Sequence, residues 1–165
     1  MMKDLRVVAL TISDRCARGE QEDKSGRALV ELLRGIGAEI IAAEILSDDL
    51  EPLAERLRFY ADRPDVDLII TTGGTGVAPR DNTPEATRRV IERDVPGLAE
   101  AMRAETWKRV PTAMISRAVC GTRGETLIVN LPGSPAGVRE CFDVIKSVLP
   151  HAVALLRGAP HEQAN

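Results

Sequence analysis

The sequence predicts an α/β protein, a three-layer α/β/α sandwich around a mostly parallel central sheet in a single domain. Three observations lead there. Short apolar, β-branched runs alternate along the chain with segments whose apolar residues recur at helical spacing. Each run empties into a polar or glycine-rich loop, and strands alternating with helices in this order imply helices on both faces of a parallel sheet. At 165 residues the chain is one domain by length, long enough to bury roughly two-thirds of its unfolded surface. The expected division is a domain over residues 1–158 and a flexible tail over 159–165.

Leu5 to Ser13 reads as the first buried strand, and Ser13 to Glu20 as the loop at its carboxyl end. Asp23 suits an N-cap, Ala28, Leu29, Leu32, Leu33 and Ile36 recur at helical spacing, and Gly35 with Gly37 supply the stop. The unit then repeats: a strand over Ala38 to Leu46, an exit loop of Ser47, Asp48 and Asp49, and a helix over Glu51 to Tyr60. Pro64 and Asp65 break into a third strand, Val66 to Ile70, which feeds the loop Thr71 to Asn82. Thr83 as N-cap with Pro84 at the first helical position opens a helix to about Asp94, where proline's missing N–H costs nothing. Pro96 and Gly97 punctuate it, and Leu98 to Lys108 is a further amphipathic helix. Pro111 to Val119 and Glu125 to Leu131 read as strands joined by a turn over Gly121 to Gly124. The last strand empties into Asn130 to Pro135, where Ser134 can cap a helix running through Val138, Phe142, Val144, Ile145 and Val148; Pro150 should kink or divide it.

Composition removes several function classes. A net charge of −3, no clustered Lys/Arg run and only four aromatic rings argue against a nucleic-acid partner. The apolar stretch from Ser147 to Leu156 is too short to span a bilayer. Met1 to Arg6 mixes an acid with bases where a signal peptide needs an unbroken apolar segment, so a cytoplasmic location is expected. Cys16, Cys120 and Cys141 are odd in number and far apart, which suits reduced thiols, and Cys141 reads as a small packed hydrophobe. His151 and His161 fall in the last helix and the tail, so no histidine is available for a triad or a metal site.

Chemistry concentrates at the carboxyl ends of the strands, where open α/β sheets bind ligands. Gly73, Gly74 and Gly76 let backbone N–H groups approach an anion, and Thr71, Thr72 and Thr75 add hydroxyls. The loop is neither a Walker A motif, having no Gly-Lys-Ser/Thr step, nor a dinucleotide fingerprint, because Pro79 stands where the last glycine belongs. Phosphate or pyrophosphate is the expected guest. Asp81 alone reads as an acid favoured by the helix dipole. Asp48, with Asp49, lies at an equivalent strand end, and two such acids beside a phosphate loop suit Mg²⁺. Capping of the Glu51 helix by Ser47 or Asp48 is the open alternative. The Asn130–Pro135 loop is similarly a helix start or a stiff ligand wall, and Ser13 and Asp14 end a strand on the same edge. Carboxylates, backbone donors and a metal suit phosphoryl or nucleotidyl transfer.

Five segments together carry a resemblance: Thr11 to Arg15, Glu22 to Gly26, Thr71 to Pro84, Ile115 to Arg117, and Asn130 to Pro135. Over nearly its whole length the chain resembles the molybdopterin adenylyltransferases of molybdenum cofactor biosynthesis, the MogA/MoaB type, related to the G domain of gephyrin. The resemblance implies the three-layer α/β/α fold, usually as a homotrimer (a hexamer is the alternative). It implies transfer of AMP from Mg-ATP to the terminal phosphate of molybdopterin, and hand-over of the product to a molybdate-inserting enzyme. By the same comparison two catalytic aspartates fall on Asp48 and Asp81, which are also the candidate Mg²⁺ ligands. Gly73, Gly74, Thr75 and Gly76 would cradle phosphate, and Ser13, Asp14, Ser116, Asn130, Pro132, Gly133 and Ser134 would line the shared nucleotide and pterin pocket. Ser47 stands where many relatives carry proline, and Ser134 where several carry asparagine or glutamine. A molybdopterin-binding or scaffolding protein without turnover is the alternative from another class. The competence-damage type is a third reading, whose chains normally carry a further C-terminal domain.

Overall fold

The computed structural model describes residues 5–160. Six strands form one sheet in the order β2-β1-β3-β6-β5-β4. The strands β1 (Arg6–Ile12), β2 (Glu39–Leu46), β3 (Leu68–Thr72) and β6 (Thr126–Leu131) run parallel; β5 (Cys120–Arg123) is antiparallel to β6, and the two-residue β4 (Arg93–Asp94) is antiparallel to β5. The predicted α/β/α sandwich with a mostly parallel sheet is the observed fold. From β1 the chain crosses to β2 on one side and then returns to place β3 on the other, so the carboxyl ends of β1 and β3 form the switch point where such sheets leave a crevice.

The central strands look continuously apolar because both faces are covered, yet their side chains still alternate. In β1, Val7 and Ala9 join one core while Val8, Leu10 and Ile12 join the other. β6 does the same, with Leu127, Val129 and Leu131 on one side and Ile128 opposite. The first core packs under α2 (Lys24–Gly35), α5 (Pro96–Thr106), α6 (Pro135–Ile145) and α7 (Leu149–Leu156), and includes Cys141 and the fully buried Phe142. The second packs under α3 (Leu50–Ala61) and α4 (Thr83–Val90) through Leu53, Leu57, Ala86 and Val90. Each fully buried Val, Leu, Ile or Phe side chain among them stabilises the fold by about 1.5–3 kcal/mol.

Several boundaries differ from the sequence reading, each for a local reason. Pro111 to Val119 is not a strand: Pro111–Ile115 is a short 3-10 turn, and the chain becomes extended only towards β5. At Val119 only the carbonyl pairs with the β6 backbone, accepting the Asn130 N–H, while the Val119 N–H is taken by the Asn130 side chain, so the regular ladder begins at Cys120. Gly121 lies inside β5 rather than in a turn, because a Cβ there would meet the Arg93 carbonyl of β4 at 2.7 Å. The turn is instead at Gly124, which adopts φ 54°. The helix expected to reach Asp94 stops at Val90, where Ile91 turns extended and releases Arg93 and Asp94 to pair with β5. Part of the expected exit loop of β1 folds as a one-turn helix, α1 (Asp14–Ala17), capped by Ser13.

Asp23 caps α2 as expected, its carboxylate accepting the Gly26 N–H. Thr83 is not an N-cap; Asn82 occupies that position, and the Thr83 hydroxyl donates to the Gly73 carbonyl at 2.9 Å. Pro150 does divide the last helical segment, standing in the first turn of α7. Regular structure ends at Leu156, and residues 161–165 of the expected tail, like residues 1–4, lie outside the described residues. Among the described residues no helix is long and apolar enough to cross a membrane, and all three cysteines are free thiols.

Candidate active site

The loop after β3 is shaped by two glycines in the left-handed region, Gly73 at φ 100° and Gly74 at φ 67°. A Cβ on Gly73 would stand 2.3 Å from the Ile12 carbonyl of β1, so the neighbouring strand end passes against bare backbone. Gly73 donates its N–H to the Leu131 carbonyl, and the Thr72 hydroxyl donates to the Pro132 carbonyl at 2.6 Å. The ends of β1, β3 and β6 are thereby tied into one rim. Gly133 completes it, with its missing Cβ only 3.2 Å from the Gly73 Cα.

The two aspartates flank this loop. A Cβ on Gly74 would lie 3.0 Å from Asp48 Oδ1, and one on Gly76 would lie 2.8 Å from Asp81 Oδ2. Asp81 Oδ2 also accepts the Ala78 N–H at 3.0 Å, folding the loop over its own acid. Asp48 is buried at 8% exposure. Burial, reinforced by the charges of Asp14 and Asp81, holds its carboxyl above the usual range despite the Asp14 N–H bond. The alternative reading of Asp48 as a helix cap fails, because Asp49 occupies the N-cap of α3 and makes no side-chain capping bond. Asp14 behaves oppositely: Arg80 grips its carboxylate at 3.0 and 2.9 Å and pulls its pKa down. The same guanidinium reaches Asp49 at 2.8 Å.

Two compartments open from this rim. The larger encloses about 510 Å³ between α5, the 3-10 turn, the start of α6 and the glycine loop, with Thr75, Gly76, Ser116, Pro132 and Ser134 in its walls. The smaller, about 290 Å³, is lined by Ser13, Lys24, Ser25, Asp48 and Gly73 among others. Gly74, Asp81 and Gly133 belong to both. Asp14 lines neither, and holds Asp48 through its backbone N–H instead. Asn130 borders the larger compartment, yet its amide is fully buried and engaged inward with Val119 N, Thr71 Oγ1 and Thr87 Oγ1. Ser134 likewise caps α6, accepting the Gly137 N–H at 3.0 Å.

Comparison with known proteins gives this geometry a lineage. Residues 8–151 match the family model described as "Probable molybdopterin binding domain". The chain belongs to the MogA/MoaB-type molybdopterin-binding family. It is 40% identical to the molybdopterin adenylyltransferase of Helicobacter pylori (strain J99) over 159 residues, covering 95% of this chain and 90% of that one. It is 42% identical to the molybdenum cofactor synthesis protein cinnamon of Drosophila melanogaster, of whose length it spans only 26%. The crystal structure of the molybdopterin biosynthesis enzyme MoaB from Thermus thermophilus superposes with a TM-score of 0.88 at 50% identity, covering 94% of this chain and 98% of that one. The family resemblance drawn from the five sequence segments is thus confirmed over most of the chain.

Sequence reasoning missed one wall of the larger compartment. Met102, Arg103 and Thr106 of α5, with Val110 and Ala113 near the 3-10 turn, line the larger compartment. Nothing in their spacing separates them from core positions of an ordinary amphipathic helix. Lys24 and Arg117 lie within the segments that carry the resemblance, and their charge was the available signal.

The site suits Mg²⁺ by its donors and by its shape. Asp48 and Asp81 bring hard carboxylate oxygens to either side of a glycine loop that a Cβ would fill. Among the described residues no three His, Cys, Asp or Glu side chains gather into a ready-made metal cage. Mg²⁺ ordinarily needs none, binding one or two carboxylates together with substrate phosphates.

Proposed function

We propose that this chain transfers AMP from Mg-ATP to the terminal phosphate of molybdopterin, giving adenylyl-molybdopterin and pyrophosphate. The observation that carries the proposal is the pair of compartments meeting at Gly74, Asp81 and Gly133. A reaction joining two large substrates through their phosphates needs two pockets with one polar junction. The near-complete coverage of relatives named molybdopterin adenylyltransferase supports an enzyme over a scaffold.

In this reading a terminal phosphate oxygen of molybdopterin attacks the α-phosphorus, the α–β phosphoanhydride bond breaks, and pyrophosphate leaves. Mg²⁺, when bound, supplies charge neutralisation on the phosphates. Asp48 and Asp81, both beside the glycine loop, would hold it, and the site would orient the triphosphate for attack. Gly73, Gly74, Thr75 and Gly76 would cradle the phosphates, with Ser13, Ser116, Pro132, Gly133 and Ser134 lining the two substrates. Asn130 would act through the wall it braces, and Asp14 through Asp48. A cytoplasmic homotrimer that hands its product to a molybdate-inserting enzyme belongs to the same reading; sedimentation tests the assembly.

The test is incubation with molybdopterin, ATP and Mg²⁺, followed by detection of adenylylated pterin and pyrophosphate. Wild-type protein should form both, and Asp81→Asn should be slower by at least about a hundredfold, the scale of losing one charge-stabilising group. No product from the folded wild-type protein would overturn the activity. An Asp81→Asn protein at the wild-type rate would overturn the assignment of the acid.

A further inference from the structure

Arg117 follows Ser116, and the proposed chemistry gives it no role. Its backbone N–H donates to the Thr75 carbonyl at 2.8 Å. Its side chain donates from Nε to the Gly76 carbonyl at 2.7 Å, and from the guanidinium to the Asp81 carbonyl at 2.8 Å. The remaining guanidinium nitrogen pairs with Glu85 in the first turn of α4, and holds that carboxyl below its usual range. One residue therefore grips both ends of the loop that contains Asp81, and the helix after it. Other bonds fix the loop from the β1 and β2 side, through Arg80 to Asp14 and Asp49 and through Asn82 Nδ2 to the Asp48 carbonyl; Arg117 holds it from the opposite segment and spans from its glycines to Asp81.

The segment carrying Arg117 is itself anchored. Arg103 of α5 donates to the carbonyls of Ser116 and Ala118 at 3.3 and 3.1 Å, on either side of Arg117. Arg103, Ser116 and Ala118 all line the larger compartment. Hydrogen bonds thus tie the backbone on both sides of Arg117 to the wall of that compartment, and the Arg117 side chain to the backbone of Asp81. Only a planar guanidinium has enough fixed donors to span two carbonyls and a carboxylate at once; the ammonium of lysine is a single point.

We infer that Arg117 is a further positioning residue of the transfer reaction: it fixes the Gly76–Asp81 backbone so that the Asp81 carboxylate is held at the junction of the two compartments. The inference rests on the function proposed above and adds a residue to it.

The experiment compares wild type, Arg117→Ala, Arg117→Lys and Glu85→Gln in the adenylylation assay, measuring kcat and the molybdopterin KM separately, with the melting temperature of each. If wild type is inactive, the proposed function fails and not this inference. With wild type active, Arg117→Ala should lose about a hundredfold in kcat, as misplacements near 1 Å do, with the molybdopterin KM unchanged. Arg117→Lys should lie between the two. Glu85→Gln keeps the backbone clamp and should stay within about fivefold of wild type, the most that a partly exposed pair is worth. Should Arg117→Ala fail to fold, the Lys and Gln variants carry the comparison. An unchanged kcat in Arg117→Ala or Arg117→Lys, a loss confined to KM, or a Glu85→Gln loss as deep as that of Arg117→Lys would each overturn it.

Discussion

Asp14 and Asp48 exchange backbone for side chain: Asp14 N donates to Asp48 Oδ2 at 2.9 Å, and Asp48 N donates to Asp14 Oδ1 at 3.1 Å. The bond pair staples the end of β1 to the end of β2, but the two acids titrate in opposite directions. Asp14 is lowered by Arg80, and Asp48 is raised by burial.

The first prediction follows from the signs. A raised acid binds its proton more tightly in the folded state, so the stability Asp48 contributes is present below its unfolded pKa and lost as pH rises through the folded one. A lowered acid is the reverse: the contribution of Asp14 is present above its unfolded pKa and lost as pH falls through the folded one. At pH 7 Asp48→Asn should therefore melt above wild type while losing turnover, the pattern of a site that holds strain for function. Asp14→Asn should melt below it. Calorimetry at pH 7 on both variants checks the opposed shifts.

Gly73→Ala should damage the fold as well as the site. Its φ of 100° is costly for any side chain, and the added methyl would meet the Ile12 carbonyl at 2.3 Å. Strain of this kind costs about 1–3 kcal/mol before the clash is counted, and each kcal/mol lowers Tm by about 2–4 °C in a chain of this size. Gly97→Ala, with nothing within 4 Å of the added Cβ, should leave Tm at or above the wild-type value. Paired thermal melts decide between the two.

Asn130→Ala removes the amide that satisfies Val119 N and bonds the hydroxyls of Thr71 and Thr87. Leaving the Val119 N–H without its partner inside the protein costs about 1–3 kcal/mol, while the Thr87 hydroxyl keeps its bond to the Thr83 carbonyl. A urea midpoint well below wild type is expected, with an unchanged m-value. A midpoint equal to wild type would show that the amide is not a structural node.

The three thiols should separate by reactivity. Burial pushes Cys120 up to about 12 and Cys141 up to about 11, and both lie in the core, whereas Cys16 is only partly covered. Iodoacetamide on native protein at pH 8 should modify Cys16 first, because the thiolate is the reacting form. Peptide mass spectrometry reads the order directly. Early labelling of Cys141 would mean that the larger compartment opens more than the structure shows.

Much of this architecture was legible along the chain. The buried strands were readable because parallel strands covered on both faces become short apolar runs, and α2 because Asp23, its apolar spacing and Gly37 punctuate it. The misread stretches share one cause. Gly121 looked like a turn residue, and is a glycine only because β4 crosses close to β5. Pro111 to Val119 looked like a strand because apolar residues that line a cleft and those that line a sheet have the same local chemistry.

The sequence by itself determined the layers, the strand-end loops and the placing of carboxylates beside them, since periodicity, glycine and carboxylate are properties of residues and their spacing. Only the tertiary structure decided what those acids do to one another. Burial raises Asp48 while a guanidinium from another loop lowers Asp14. Arg117 reaches Asp81 across 36 positions of sequence, and the wall formed by α5 turns a rim of loops into two compartments. Desolvation, electric field and hydrogen-bond geometry depend on distances in space, and the fold sets those distances.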